Sequence, residues 1–135
     1  MLKKEVSYVD YDGNNVTETL YFNMTKTEIA AMQVRMDGKF IDYLQDLVKG
    51  NKVERLFHIF KDIVLDSYGK KSDDGRRFVK SKELRDDFEA SIPFDNLMME
   101  LLQDSDKQSA FVRAILPPDM TTGGDLSAAS IPPIS

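Results

Sequence analysis

Four groupings in this sequence hold residues whose types could do chemistry, and each lacks a part that the chemistry needs. Gly69-Lys70-Lys71-Ser72 has the ending of a phosphate-binding loop, in which backbone amides and a lysine cradle phosphates. That loop needs a glycine five residues earlier, where Val64 stands, and it follows a strand, whereas the residues before Gly69 read as helix. Asp73-Asp74-Gly75 offers carboxylates for calcium, but a binding loop counted from Asp73 places Leu84 where the bidentate glutamate belongs. The tripeptide reads instead as a turn, with Gly75 supplying the unusual backbone angle. His58 is the single histidine and cysteine is absent, so neither a triad nor a zinc site has partners. It reads as a histidine at the boundary of a helix's apolar face. Asp86-Asp87 and Asp104/Asp106 pair carboxylates without the apolar surroundings that raise a pKa, and helix-end charge accounts for them. No catalytic residue, metal or cofactor is expected. The chain reads as a non-enzymatic binding or assembly protein.

The remaining candidates are for partner binding: Tyr68, Arg76, Arg77, Phe78 and Lys80. An aromatic flanked by arginines is a common interface composition. The same residues could hold nucleic acid, but the patch is small and the net charge is −5, so no nucleic-acid partner is expected. Phe78 could also do no more than pin its loop to the core. Charge is unevenly placed around this patch. Residues 70–82 hold six basic against two acidic side chains, a balance of +4, and residues 83–106 hold eight acidic against one basic, a balance of −7. Such blocks can be two solvated faces, or can attract each other within one fold or between stacked subunits.

The elements that must position these residues are legible as one α+β domain, mostly helical, over residues 1–116. Residues 3–11 and 16–24 read as a hairpin. Val16, Leu20, Phe22 and Met24 fall on one face, interrupted by Glu18, and Asp12-Gly13-Asn14-Asn15 forms the turn. The helical part, 25–116, is expected to hold five to six short helices. Thr25 and Glu28 form a capping box, with Met24 and Ile29 spaced as a hydrophobic staple, and the helix stops near Asp37-Gly38. A second helix carries Phe40, Ile41, Leu44, Leu47 and Val48 up to Gly50. The longest follows, capped by Asn51, with Val53, Leu56, Phe57, Phe60, Ile63, Val64 and Tyr68 on its apolar face and Gly69 as a left-handed C-cap. These two helices are expected to pair antiparallel across a tight turn. A basic loop leads to a helix opening at Ser81, then to one starting at Pro93, and to a last one capped by Asp104 or Ser105 and stopped by Pro117-Pro118. Residues 117–135 hold prolines, glycines and small polar residues without an aromatic, and are expected to form a disordered tail. MLKKEVSYV lacks the apolar run of a secretory signal, and no apolar run nears the ~18 residues of a membrane span. No membrane partner is expected.

The order of segments adds a resemblance. A hairpin YVDYDGNNVTETLYFNMT leads into KTEIAAM; the long helix runs into DSYGKKSDDGRRFVKS; ELRDDFE opens a later helix and AFVRAILPP closes the domain. Across residues 4–118 this resembles the tail assembly chaperones of long-tailed bacteriophages that infect Gram-positive hosts. Its most specific part is Tyr68-Gly69, Ser72, Asp74-Gly75, Arg77-Phe78 and Lys80-Ser81. The resemblance implies a protein of the host bacterial cytoplasm, absent from the mature virion. It would coat the tape measure protein, keep it soluble, and help major tail-tube subunits polymerise around it. It also implies a shorter product of a frameshifting gene, and it carries over no catalytic or binding residues. Self-association through the hairpin edge fits such a role. The alternatives are a tail-completion or connector subunit that stays in the particle, and a small regulatory nucleic-acid binder.

Overall fold

The computed structural model describes residues 1–49 and 57–121. Alternation of half-buried and exposed side chains makes Leu2–Val9 (β1) and Asn15–Phe22 (β2) an antiparallel pair, in register from Leu2 opposite Phe22 to Val9 opposite Asn15. The turn comes earlier than expected and takes in Asp10 and Tyr11. The Asp10 carboxylate accepts from the amides of Asp12 (2.9 Å) and Asn14 (2.8 Å), and Gly13 has φ +82°. Glu18, the interruption in the apolar face of β2, accepts from the Tyr8 hydroxyl at 3.0 Å on a part of the hairpin exposed to solvent. The apolar pattern of β2 resumes with buried Leu20 and Phe22, towards the helices.

Helix α1 (Lys26–Arg35) starts on the expected box: Thr25 accepts from the Glu28 amide and Glu28 accepts from the Thr25 amide. Asp37 and Gly38, both at positive φ, end it. Helix α2 (Phe40–Val48) buries Phe40, Ile41, Leu44 and Leu47. Its principal neighbour is the last long helix, where the buried Ser109 hydroxyl donates to the Leu47 carbonyl. The expected N-cap at Asn51, the first turn after it, and the tight turn at Gly50 lie outside the described residues.

Helix α3 (Phe57–Ser67) does not close on a glycine. Its last carbonyl, of Ser67, accepts from the Asn23 amide at 2.7 Å, and the chain passes directly into Tyr68–Lys71 (β3). Gly69 is therefore a strand residue opposite Tyr21 and not a left-handed C-cap. The expected basic loop is likewise a hairpin, for β3 pairs with Phe78–Val79 (β4) through Lys70 opposite Val79 and Lys71 opposite Phe78. The result is a four-stranded sheet, ordered β1-β2-β3-β4.

Ser81 caps α4 (Lys82–Glu89), Ser91 caps α5 (Ile92–Leu102) with Pro93 in its first turn, and Asp104 caps α6 (Ser105–Ile115). Pro118–Thr121 (α7) adds a helical turn beyond the expected end at residue 116, with Met120 fully buried. The rest of the expected tail, 122–135, lies outside the described residues. Six helices of eight residues or more are thus described, on an α+β plan. The core sits between the helices and the inner end of β2, and Met24 ties the two by donating its amide to the Ile115 carbonyl at 2.8 Å.

Candidate functional site

Helix α1 repeats Glu28, Ala31, Met32 and Arg35 at helical spacing, so all four share one face. That face forms one wall of an open groove of about 440 Å³. Lys82 and Arg85 of α4, with Lys80 and Ser81 before it, form the other wall. Met24, Leu65, Asp66 and Tyr68 complete the lining. The lining is apolar where it is deep, for Met24, Met32 and Leu65 are buried.

Ion pairs join the walls. The Lys80 ammonium donates to Glu28 and to the Asn23 carbonyl, both at 2.6 Å, so the carboxylate that caps α1 also holds the segment leading into α4. Arg85 donates from Nε to Asp66 at 2.9 Å and reaches Asp62 at 3.1 Å. The bond to Asp66 holds the Arg85 guanidinium above its already high pKa, so it stays charged. Arg35 approaches Asp66 only loosely, at 3.9 Å, and Lys82 pairs with Asp86 of its own helix.

The five partner-binding candidates separate in space. Tyr68 lines the groove, stacked on Phe88 with ring centroids 4.2 Å apart and planes 11° apart, and burial raises its hydroxyl pKa. Lys80 lines the groove too, but its ammonium is engaged within the fold. Phe78 is half-buried, with its ring over Gly69 and the Lys80 ammonium 5.8 Å from its centroid. Arg76 and Arg77 are exposed in the turn from Ser72 to Arg77, outside the groove lining. Glu28, Arg35, Asp66 and Arg85 were missed by sequence reasoning. For Glu28 and Arg35 a signal existed in the i, i+3, i+4, i+7 repeat that begins at the capping box.

His58 is exposed, edge-on to Phe57. Among the described residues, no group of three or more His, Asp or Glu side chains is placed to hold a metal ion, and no helix is long and apolar enough to cross a membrane. What the arrangement offers is a surface: an apolar slot between two helices, rimmed by charge.

The family model for phage tail assembly chaperones matches residues 1–128. The chain belongs to that family. The match covers both walls of the groove and the β3–β4 hairpin, and it continues beyond the described residues of this tail assembly chaperone. No curated protein and no solved structure matches the chain.

Proposed function

We propose that this tail assembly chaperone binds the tape measure protein, keeps it soluble and promotes polymerisation of the tail tube around it, without catalysing a reaction. Family membership over residues 1–128 carries the reading. The groove supports it, because methionine-lined slots accept apolar side chains of varied shape, as a chaperone of a long helical client requires. The two carboxylates lining the groove, Glu28 and Asp66, are committed to Lys80 and Arg85, which suits a binding surface. The major tail protein is the second partner, and the outer edge of β1 offers a route to self-association by strand pairing. The chain acts in the host bacterial cytoplasm and leaves before the virion is complete.

Co-expression with the tape measure protein of the same genome tests this. The tape measure protein is expected to become soluble and to co-purify only when the chaperone is present. If it stays insoluble and unassociated, and this chain is found in purified particles, the protein is a structural tail component instead.

A further inference from the structure

The groove is cationic on a molecule that is acidic. The chain carries −5 overall, yet Arg35, Lys80, Lys82 and Arg85 line the groove against only Glu28 and Asp66. Lys80 and Arg85 are held by those carboxylates, so the charge open to a visitor is at the mouth. There the Lys82 side chain is 88% exposed and paired with Asp86 of its own helix at 2.7 Å, and the Arg35 side chain is 59% exposed, 3.9 Å from Asp66 and with its guanidinium 2.6 Å from the Met32 sulfur. Ala31 is exposed on α1, on the groove face it shares with Arg35, and its small side chain adds little bulk to a slot whose depth is lined by Met24, Met32, Leu65 and Tyr68. Two helices wall the slot, a shape that accepts a third helix laid in by its apolar stripe.

We propose that the groove between α1 and α4 takes an amphipathic helix of the client whose apolar stripe is bordered by Asp or Glu. This rests on the chaperone reading above and adds the chemistry of the segment that is recognised. Leucine or methionine side chains enter beside Ala31 and Tyr68, above the buried Met24, Met32 and Leu65, and carboxylates beside them meet Arg35 and Lys82. The charged rim selects the segment and sets its orientation, while burial of the stripe supplies the affinity. Basic or uncharged amphipathic helices fit the slot equally well in shape, but meet repulsion or nothing at the rim.

The test uses the full chain and two labelled synthetic helical peptides with leucine at i, i+3, i+4 and i+7, one flanked by glutamates and the other by lysines, with a labelled single-stranded oligonucleotide beside them. The glutamate peptide is expected to bind about ten-fold more tightly than the lysine peptide at low salt, and the difference should shrink as salt rises. Ala31→Trp, at an exposed helical position, fills the slot and should weaken binding about ten-fold. Lys82→Glu, whose side chain is almost wholly in solvent, keeps the fold and should narrow the preference between peptides. Equal binding of the two peptides, or binding indifferent to Ala31→Trp in a chain with unchanged circular dichroism, overturns the inference. So does an oligonucleotide that displaces the peptide, which would make the rim a nucleic-acid site. Co-expression of each variant with the tape measure protein separates the two readings. Rescue by the wild type and equally by both variants sinks the groove alone, whereas no rescue by the wild type sinks the tape measure reading while the peptide result still decides the groove.

Discussion

A methyl group added at Gly69 would lie 2.7 Å from both Cε2 of Phe78 and the Val79 carbonyl oxygen. The ring could swing aside, but the carbonyl belongs to a paired strand and cannot move without breaking the β3–β4 ladder. Gly69→Ala is therefore expected to cost about 2 kcal/mol, the scale of overpacking in a close-packed site, read as a lowered midpoint in urea. A change within about 0.5 kcal/mol, the usual range for surface substitutions, would mean that the strand pair gives way easily. The helical spacing that runs to Tyr68 predicts a glycine cap here, whereas the glycine serves the close approach of β4 to β3. Absence of Cβ serves a left-handed cap and a close approach alike, and only the partner strand distinguishes them. Lys80 holds a similar lesson. It stands among basic residues in the chain, but its ammonium is bonded to Glu28, 52 positions away, and no local pattern reports a contact of that separation.

At the scale of the element, the β3–β4 hairpin depends on its turn. Asp74 accepts from the Ser72 hydroxyl at 2.6 Å and the Arg76 amide at 3.0 Å, while Gly75 takes φ +73°. The bond from Ser72, then that from Arg76, holds the Asp74 carboxyl below its usual 3.8. A lowered folded pKa means that the open turn takes up a proton first. The stabilisation is therefore present above the ordinary carboxylate value and is lost as pH falls through the folded one. Acidification is expected to shift the NMR amide signals of Ser72, Arg76 and Arg77 towards open-chain positions below about pH 4. In Asp74→Ala these signals should sit near open-chain positions already at neutral pH, with no further acid step. Identical titrations in the two proteins would show that the carboxylate does not hold the turn. The turn itself is readable from Asp73-Asp74-Gly75, as are the capping box of α1 and the amphipathic helices. The strands flanking it are not. Two to four residues are too few to show a period of two, and Tyr68 continues the helical spacing of Phe60, Ile63 and Val64, which extends the apparent helix into β3.

In the whole molecule, one aromatic cluster joins what the groove needs to keep its shape. Phe22, fully buried on β2, lies edge-on to Tyr68, Phe88 and Phe111 at centroid distances of 5.8, 5.7 and 5.2 Å. Phe88 in turn stacks on Tyr68 and meets Phe94 edge-on at 5.3 Å. Strands β2 and β3 and helices α4, α5 and α6 thus share a single packing unit, although its members are spread from residue 22 to residue 111. The groove lies on this unit, because Tyr68 belongs to both. Removing Phe22 as Phe22→Ala is expected to cost about 3–5 kcal/mol, against the 5–15 kcal/mol that holds an ordinary domain together. The chain lacks tryptophan, so its five tyrosines report tertiary structure through fluorescence while circular dichroism reports the helices. If the cluster unites the fold, both signals lose midpoint together and coincide in the variant as in the wild type. Separate transitions, with tyrosine fluorescence changing before the helices melt, would instead divide the molecule into a sheet unit and a helical unit. The distinction bears directly on function. A client helix that seats between α1 and α4 can be held only as firmly as those walls are held to each other: this cluster holds α4 through Phe88, and the Lys80–Glu28 pair ties α1 to the segment that leads into α4.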